Sequence, residues 1–305
     1  MPTKERSGEI IGTVDGARPG DDGISVVPEP LVIANVLVPL SAAAASERAL
    51  PPAAALARRF GARLHLLTVG IERAESDAMA ARHASLKDRF PSVLDLRVDW
   101  DVAESIMDVA REQAPSVVCM VSHARGRLGE VALGSYTSEL LAGTPDPVLL
   151  VGFDHDAGRA PTDGPVFACV DGSLACERVL PVAASWASAL GVDLRVVTVA
   201  EPTLSGLDDR PAHRIHGPDG DPLAYVEALA DRWRRPDLVV TALVVDDPGG
   251  VAAGLASLLE HTPCGMLAIT THARTGLRRA VFGSQAASIV RHSPVPVLVV
   301  PPPHH

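Results

Sequence analysis

The sequence predicts an α/β protein of two tandem domains, each a doubly wound, five-stranded, mostly parallel sheet with helices on both faces. Two observations lead to this prediction. Short β-branched runs alternate with alanine-rich stretches of helical spacing, and the same order of elements occurs twice. At 305 residues the chain also has room for two domains of about 100–150 residues.

The predicted elements follow in order along the chain. Residues 1–30 lack apolar periodicity and predict a flexible leader. The first series has strands at 32–39, 64–69, 93–99, 116–122 and 148–151, with helices at 46–60, 75–90, 103–113 and from Ser135. The second has strands at 166–170, 194–199, 238–245, 266–271 and 297–300, with helices at 174–190, 222–234, 249–261 and 284–291.

The two series align with each other, which indicates a domain duplication. Residues 122–151 match residues 271–300 without a gap at an offset of 149, with eleven of thirty positions identical. Residues 46–51 match 176–181 at an offset of 130, so the second half holds 19 additional residues (149 minus 130). They fall most simply at 201–221, which predicts an extended loop. The linker composition of 153–165 places the domains at 31–152 and 166–301.

Composition and charge limit the partners and the compartment. A net charge of −10 repels nucleic acid and anionic membrane surfaces. No uncharged apolar run approaches the ~18–20 residues of a membrane span, and the N-terminus lacks a secretory signal, so a cytoplasmic protein is expected. The four cysteines lack C-x-x-C spacing, and three of them lie in apolar or small-residue runs that indicate buried thiols.

The segments after the first and fourth strands of the second half carry a candidate binding site, because open α/β sheets bind ligands where the strand order reverses. Gly283 and Ser284 begin a helix whose unpaired N–H groups suit a phosphate, or they form an ordinary helix cap, which is the usual role of Gly-Ser before a helix. Asp171 follows the first strand and suits a ribose, or forms an Asp-Gly turn. Its equivalent in the first half is Ser41, which has no carboxylate. If only one half binds a ligand, we therefore expect it to be the second half.

Catalytic and metal sites are not expected from the sequence. It contains no G-x-x-x-x-G-K-[ST], no G-x-S-x-G and no paired carboxylates at helical spacing that would suggest hydrolysis. His123 and His272 recur at one position but have no neighbouring set of metal ligands. Arg274, Arg278 and Arg279 are interpreted as solvated surface or as phosphate contacts.

A group of motifs points to one family. It comprises Val-Asp-Gly-Ser at 170–173, Glu177-Arg-x-Leu-Pro after it, Gly283-Ser284, and the apolar Pro-Val segment at 293–300. On the basis of these motifs, both halves resemble the universal stress protein domain, and residues 31–301 resemble a tandem two-domain member of that family. The resemblance implies an adenine nucleotide alpha hydrolase-like fold with ATP as a bound ligand.

The resemblance also implies which residues hold the nucleotide. The family loop reads Gly, two residues, Gly, nine residues, Gly and Ser or Thr. Carried onto this sequence, the family pattern assigns the nucleoside to Asp171 and Val199. It assigns the phosphates to Ala273, Gly283, Ser284 and Gln285, and Thr270 takes the first glycine position. Thr270 and Ala273 thus replace glycines. In the first half Val121, Ala124 and Ser41 all depart from the pattern, so that half is interpreted as degenerate.

The function implied is that of a stress-response sensor or regulator, not an enzyme, which binds ATP or a related adenine nucleotide in the second domain. It would act through conformational change or partner binding. The alternative is a nucleotide-independent interaction scaffold with both sites degenerate, and a slow ATP hydrolase is a weaker third hypothesis. The resemblance further implies association through the final strands, residues 297–300, between the two halves or in a homodimer.

Overall fold

The computed structural model describes residues 9–13, 30–41, 43–70, 73–122, 134–200, 221–271 and 283–302. A short strand, β1 (Glu9–Thr13), comes first. The first half then contains β2 (Asn35–Pro39), a 3-10 helix (Ala44–Ala49), α1 (Leu50–Phe60), β3 (Arg63–Gly70), α2 (Arg73–Ala84), β4 (Val93–Val98), α3 (Val102–Glu112), β5 (Ser116–Val121), α4 (Ser135–Gly143) and β6 (Val148–Val151). The second half contains β7 (Val166–Cys169), α5 (Leu174–Glu177), α6 (Val179–Leu190), β8 (Leu194–Ala200), α7 (Pro222–Trp233), β9 (Val240–Asp246), α8 (Val251–His261), β10 (Met266–Thr270), α9 (Ser284–His292) and β11 (Val297–Val300).

The strands of each half follow the order of a doubly wound sheet. The order is β4-β3-β2-β5-β6 in the first half and β9-β8-β7-β10-β11 in the second. All neighbours within a half are parallel. The order reverses between β2 and β5 and between β7 and β10, and the predicted fold class is confirmed.

The two halves join through their last strands. β11 pairs antiparallel with β6, with Val297 opposite Leu150 and Leu298 opposite Leu149, and every residue of both strands is buried. The apolar strand at 297–300 therefore pairs the two halves within one chain and produces a sheet of eleven strands. Because the join is antiparallel, the carboxyl ends of the parallel strands in the two halves point to opposite edges of that sheet.

Each face of the sheet carries a hydrophobic layer that continues across both halves. On one face α1 of the first half packs beside α6 of the second, with the Phe60 and Trp186 rings edge to face at 6.1 Å between centroids. On the other face α3 and α4 lie in one layer with α8 and α9. The halves therefore share their core. Among the described residues no helix is long and apolar enough to cross a membrane.

Residues 9–13 correct the prediction of a flexible leader over 1–30. β1 pairs antiparallel with the edge strand β9, with Glu9 opposite Asp246 and Thr13 opposite Leu243. Five residues are too few to display alternation, and the partner strand is more than two hundred positions away in sequence, so local periodicity could not reveal this strand. The rest of the predicted leader, residues 1–8 and 14–29, and residues 201–220 of the predicted loop lie outside the described residues.

The chain leaving β6 packs directly against the end of α9. A Cβ at Gly152 would collide with the carbonyl oxygen of Val290. Just beyond, the Asp154 N–H donates to the Arg291 carbonyl at 3.0 Å, and His292 Nδ1 lies 2.7 Å from Asp154 Oδ2. The start of the predicted linker is therefore fixed onto the second half, and glycine is needed at 152 for close approach.

We expect Gly152→Ala to lower the free energy of unfolding by about 2 kcal/mol, since a rigid backbone carbonyl must move to admit the methyl group. Gly143→Ala is the matched control, because a Cβ there meets the flexible side chain of Met107. Denaturant titration of both variants measures the difference. Equal stability losses in the two would contradict the proposed close contact.

Three buried histidines have their pKa lowered. His83 Nδ1 lies 2.8 Å from Thr68 Oγ1, and His155 Nδ1 lies 3.1 Å from the Pro294 carbonyl oxygen at the junction of the halves. The third is His65 in β3. Burial is the largest cause at each, because an imidazolium ion loses its hydration there. The folded protein therefore favours neutral rings.

We expect the free energy of unfolding to fall as the pH drops below 6.5, the ordinary histidine pKa, because the unfolded chain then binds protons that the folded chain does not. This contribution is fully present above that pH and is lost as the pH falls towards the lowered pKa values. His83→Gln should lose less stability over the same interval. Denaturant titrations between about pH 7.5 and 5.5 test this, and a flat profile would refute it.

Candidate functional site

The candidate site lies where the strand order of the second half reverses. β7 and β10 are parallel neighbours there, so their carboxyl ends meet at one edge of the sheet. Asp171 follows β7, Thr270 ends β10, and α9 starts at the same edge because it crosses back over the sheet to β11. The fold therefore brings together these three sequence-predicted parts of the site.

A chain of hydrogen bonds connects Thr270 to Asp171. Thr270 Oγ1 donates to Cys176 Sγ at 3.4 Å, and the Cys176 N–H donates to Ser173 Oγ at 3.2 Å. Ser173 Oγ in turn donates to Asp171 Oδ1 at 2.6 Å, and the Ser173 N–H donates to the same oxygen at 2.9 Å. The exposed carboxylate is therefore held in place by the residue that caps α5.

The first half forms the same turn without a carboxylate. Ser41 Oγ accepts a hydrogen bond from the Ala43 N–H at 3.3 Å, as Asp171 Oδ1 does from the Ser173 N–H two residues on. The turn-forming interpretation of Asp171 therefore holds. Because the Ser41 hydroxyl accepts the equivalent hydrogen bond, the turn itself does not require a carboxylate at position 171.

Helix α9 begins with an accessible first turn. Gly283, Ser284 and Gln285 are exposed, and no heavy atom of the described residues lies within 4 Å of the position that a Cβ on Gly283 would take. Gly283 has φ of −62°, so its backbone does not require glycine, and no side chain caps the helix among the described residues. The N–H groups of the first turn have no intrahelical acceptor, and the positive end of the helix dipole faces outward. An anion can therefore approach this backbone closely.

Two further residues define the edge of the site. Val199 is half-buried and its side chain packs towards α8, where a Cβ on Gly254 would lie 3.1 Å from Val199 Cγ1. Thr271 is buried, and its Oγ1 has no hydrogen-bond partner among the described residues. Its equivalent in the first half, Ser122, donates to the Val151 carbonyl at 3.4 Å. Sequence reasoning did not single out Thr271, although the alignment of the halves placed it beside the loop.

The remaining predicted positions are not described. Ala273, Arg274, Arg278 and Arg279 lie outside the described residues, as do Ala124, His123 and His272. Their assignment to phosphate binding or to solvated surface stays a prediction.

The glutamate of the repeated Glu-Arg-x-Leu-Pro motif binds the second crossover helix of its half. Glu47 pairs with Arg82 of α2 at 2.7 Å between Oε1 and Nη2. Glu177 accepts from the Tyr225 hydroxyl of α7 at 3.2 Å, and its Oε2 lies 3.6 Å from Arg232 Nη1. The pKa of buried Tyr225 is raised, by burial first and by Glu177 second. This structural role is independent of any ligand.

The arginine of the same motif binds the chain that follows the last strand of its half. Arg48 Nη2 donates to the Phe153 carbonyl at 2.6 Å, and Arg178 Nη2 donates to the Pro301 carbonyl at 3.2 Å. Both halves therefore use the motif to fix the start of their first helix, a role that sequence reasoning missed.

The four cysteines are free thiols. Cys119, Cys176 and Cys264 are buried and Cys169 is half-buried. Burial raises the pKa of Cys176 and of Cys264 to about 12, so both stay protonated at neutral pH and are poor nucleophiles. Within the described ranges no three His, Cys, Asp or Glu side chains are grouped to hold a metal ion.

Comparison with known proteins gives consistent matches. The universal stress protein family model matches residues 70–152 and 164–301, one segment in each half. Two universal stress proteins of Mycobacterium tuberculosis are similar to the chain. Rv2005c is 29% identical over 226 residues and 72% of each chain, and Rv2623 is 28% identical over 223 residues and 71% of each chain.

Solved structures are similar in fold. A universal stress protein from Archaeoglobus fulgidus matches with a TM-score of 0.61 at 18% identity, over 88% of this chain and 98% of that chain. One from Pseudomonas aeruginosa matches with a TM-score of 0.57 at 22% identity, over 88% and 94%. At these identities the structural matches support the fold alone.

We expect Glu177→Ala to lower the free energy of unfolding by about 1–3 kcal/mol, because it leaves the buried Tyr225 hydroxyl without its acceptor. The double variant Glu177→Ala/Tyr225→Phe should recover part of that loss, since both partners are then removed. Denaturant titration of the two single variants and the double variant measures the coupling. Strictly additive losses would show that the two groups do not interact.

Proposed function

The chain belongs to the universal stress protein family, and we propose that its second half binds ATP or a related adenine nucleotide while its first half does not. In this proposal the protein is a cytoplasmic sensor or regulator of the stress response. It acts through binding and not through catalysis.

The observation that carries the proposal is the difference between two equivalent turns. Asp171 and Ser41 form the same local hydrogen bond, but Asp171 alone brings a carboxylate to its switch point. A carboxylate at a strand terminus beside the switch point of an open α/β sheet can accept hydrogen bonds from ribose hydroxyls. The half that we assign to binding therefore carries a charged acceptor that the equivalent turn of the other half lacks.

The arrangement of the described residues supports this proposal as well as their chemical types. The carboxylate lies after β7, and the open first turn of α9 begins beyond the neighbouring strand β10. A nucleoside at Asp171 and Val199 would thus direct its phosphates towards the backbone of Gly283, Ser284 and Gln285, where the helix dipole favours an anion. Thr270 is buried at the end of β10, between these two parts of the site, and donates a hydrogen bond to Cys176.

Helix α9 connects the proposed nucleotide site to the junction of the two halves, so binding at one end can change contacts at the other. Its first turn is the proposed phosphate site, and its last residues bind Gly152 and Asp154 at the junction of the halves, about 13 Å away along the helix axis. A phosphate that shifts the start of α9 would therefore alter the contacts that set the two halves against each other.

The alternative is a nucleotide-independent scaffold, and one experiment separates the two. Protein purified without added nucleotide is denatured, any released small molecule is identified by mass spectrometry, and emptied protein is titrated calorimetrically with ATP. About one adenine nucleotide per chain supports the proposal. Two per chain would assign binding to both halves, and none, with no heat of titration, would favour the scaffold.

We expect Asp171→Ser to lower ATP affinity at least tenfold, because it keeps the acceptor of the turn and removes the charge that binds ribose. Ser41→Ala is the matched control: it removes the equivalent turn acceptor in the first half and should leave ATP affinity unchanged. Calorimetric titration of both variants, alongside thermal melts, separates affinity from stability. Unchanged affinity in Asp171→Ser would reject the site.

A further inference from the structure

The outer edge of β4 ends the sheet at the first half. In the order of the described strands β1 covers β9 at one end, whereas β4 is paired with β3 alone at the other. β4 and β9 are equivalent strands, the third of each half. An edge strand presents unpaired N–H and C=O groups to any strand that can lie beside it.

The β4 edge is apolar and has few of the features that prevent strand addition. Val93, Leu96 and Val98 are 48%, 42% and 59% exposed, and Trp100, two residues beyond the strand, is 82% exposed. The strand contains no proline or lysine, two residues that commonly protect an edge, and its charged residues are Asp95 and Arg97. Exposed tryptophan beside an open edge is typical of an interaction surface.

The equivalent edge shows which kind of strand this fold accepts. β1 adds to β9 in antiparallel orientation, with Ile10 opposite Val245. By the symmetry of the duplication, an antiparallel strand is the matching addition at β4.

The sequence of β4 is complementary to itself in one antiparallel register. Asp95 and Arg97 lie on one face of the strand, and Leu94, Leu96 and Val98 lie on the other. When Leu96 of two copies lie opposite each other, Asp95 of each faces Arg97 of the other, and Leu94 faces Val98. A shift of one position in one strand places the charged face of one copy beside the apolar face of the other. A shift of two positions places Asp95 opposite Asp95 or Arg97 opposite Arg97.

We propose that the β4 edge is a homodimer interface, in which two copies of this chain pair their β4 strands antiparallel about a two-fold axis at Leu96. Such a pairing is isologous and closes on itself. It would extend the eleven-stranded sheet continuously from one protomer into the next. It also brings Trp100 of each copy over Ser92 at the start of the other copy's strand.

Charge reversal tests both the surface and the register. Full-length wild type is compared with Arg97→Asp, Asp95→Arg and the double variant by sedimentation equilibrium between about 1 and 100 µM. Each single reversal replaces two attractive cross-strand pairs with two repulsive ones, so the dimer dissociation constant should rise at least tenfold. The double variant restores opposite charges across the axis and should dimerise like wild type. Thermal melts at low concentration check that each variant is folded, since Arg97 also pairs with Asp95 and Glu112 of its own chain.

A second measurement does not depend on charge. Leu96→Cys should form an intermolecular disulfide under mild oxidation, and Val32→Cys, at another exposed apolar position, should not. Asp108→Arg, which reverses an exposed ion-pair partner on α3, should leave the dimer intact. Trp100 emission should shift to the blue as the concentration rises, because Trp186 and Trp233 are already buried.

Three results would overturn the proposal. They are a wild-type monomer throughout the concentration range, a dimer that none of the β4 variants affects, and a dimer lost on deletion of residues 1–13 but unchanged by charge reversal. The last would show exchange of β1 between copies instead of pairing between β4 strands.

Discussion

The antiparallel pairing of β6 with β11 is the constraint on which the rest of the molecule depends. These are the most apolar strands of the two halves, and neither can stay exposed at a sheet edge. Pairing them buries both and makes one sheet from two. It also brings α1 beside α6 and α4 beside α9, so that the helical layers fuse across the join. The close contact at Gly152 follows from the same geometry, because the chain leaving β6 has to pass the end of α9.

The duplication separates the contacts that both halves share from the chemical groups that only one half has. The glutamate and arginine of the repeated motif make equivalent contacts in both halves, with the second crossover helix and with the chain after the last strand. The turn after the first strand is likewise preserved at Ser41 and Asp171. What differs between the halves is chemical: a carboxylate at 171, and a threonine hydroxyl at 271 that lacks a described partner where Ser122 has one. Both differences lie at one crevice of the second half.

Elements whose pattern is local could be predicted from the sequence, and elements fixed by distant contacts could not. The strands at 148–151 and 297–300 match the prediction residue for residue because each is a buried apolar run between prolines and turns. The helix predicted at 46–60 instead divides into a 3-10 helix and α1, since the prolines after Leu50 fit only a first helical turn. β1 was missed because the β9 edge specifies it. In the site, Asp171 and Gly283 followed from motif and spacing, but the bonds that hold Asp171 required the position of Cys176 in space.

The two halves have diverged in complementary ways. The second half keeps the carboxylate and has its outer edge closed by β1, whereas the first half has a serine at that position and an outer edge without a described partner. Since the β6–β11 join is antiparallel, the switch points of the two halves lie at opposite edges of the sheet. The switch point of the second half is also far from β4, because β11, β6, β5, β2 and β3 lie between β10 and β4. Association through β4 and nucleotide binding beside β7 can therefore occur in the same molecule without competing for surface. A duplicated fold that needs both a ligand site and a contact with a second copy gains from assigning one to each half, because a substitution that serves one does not disturb the other.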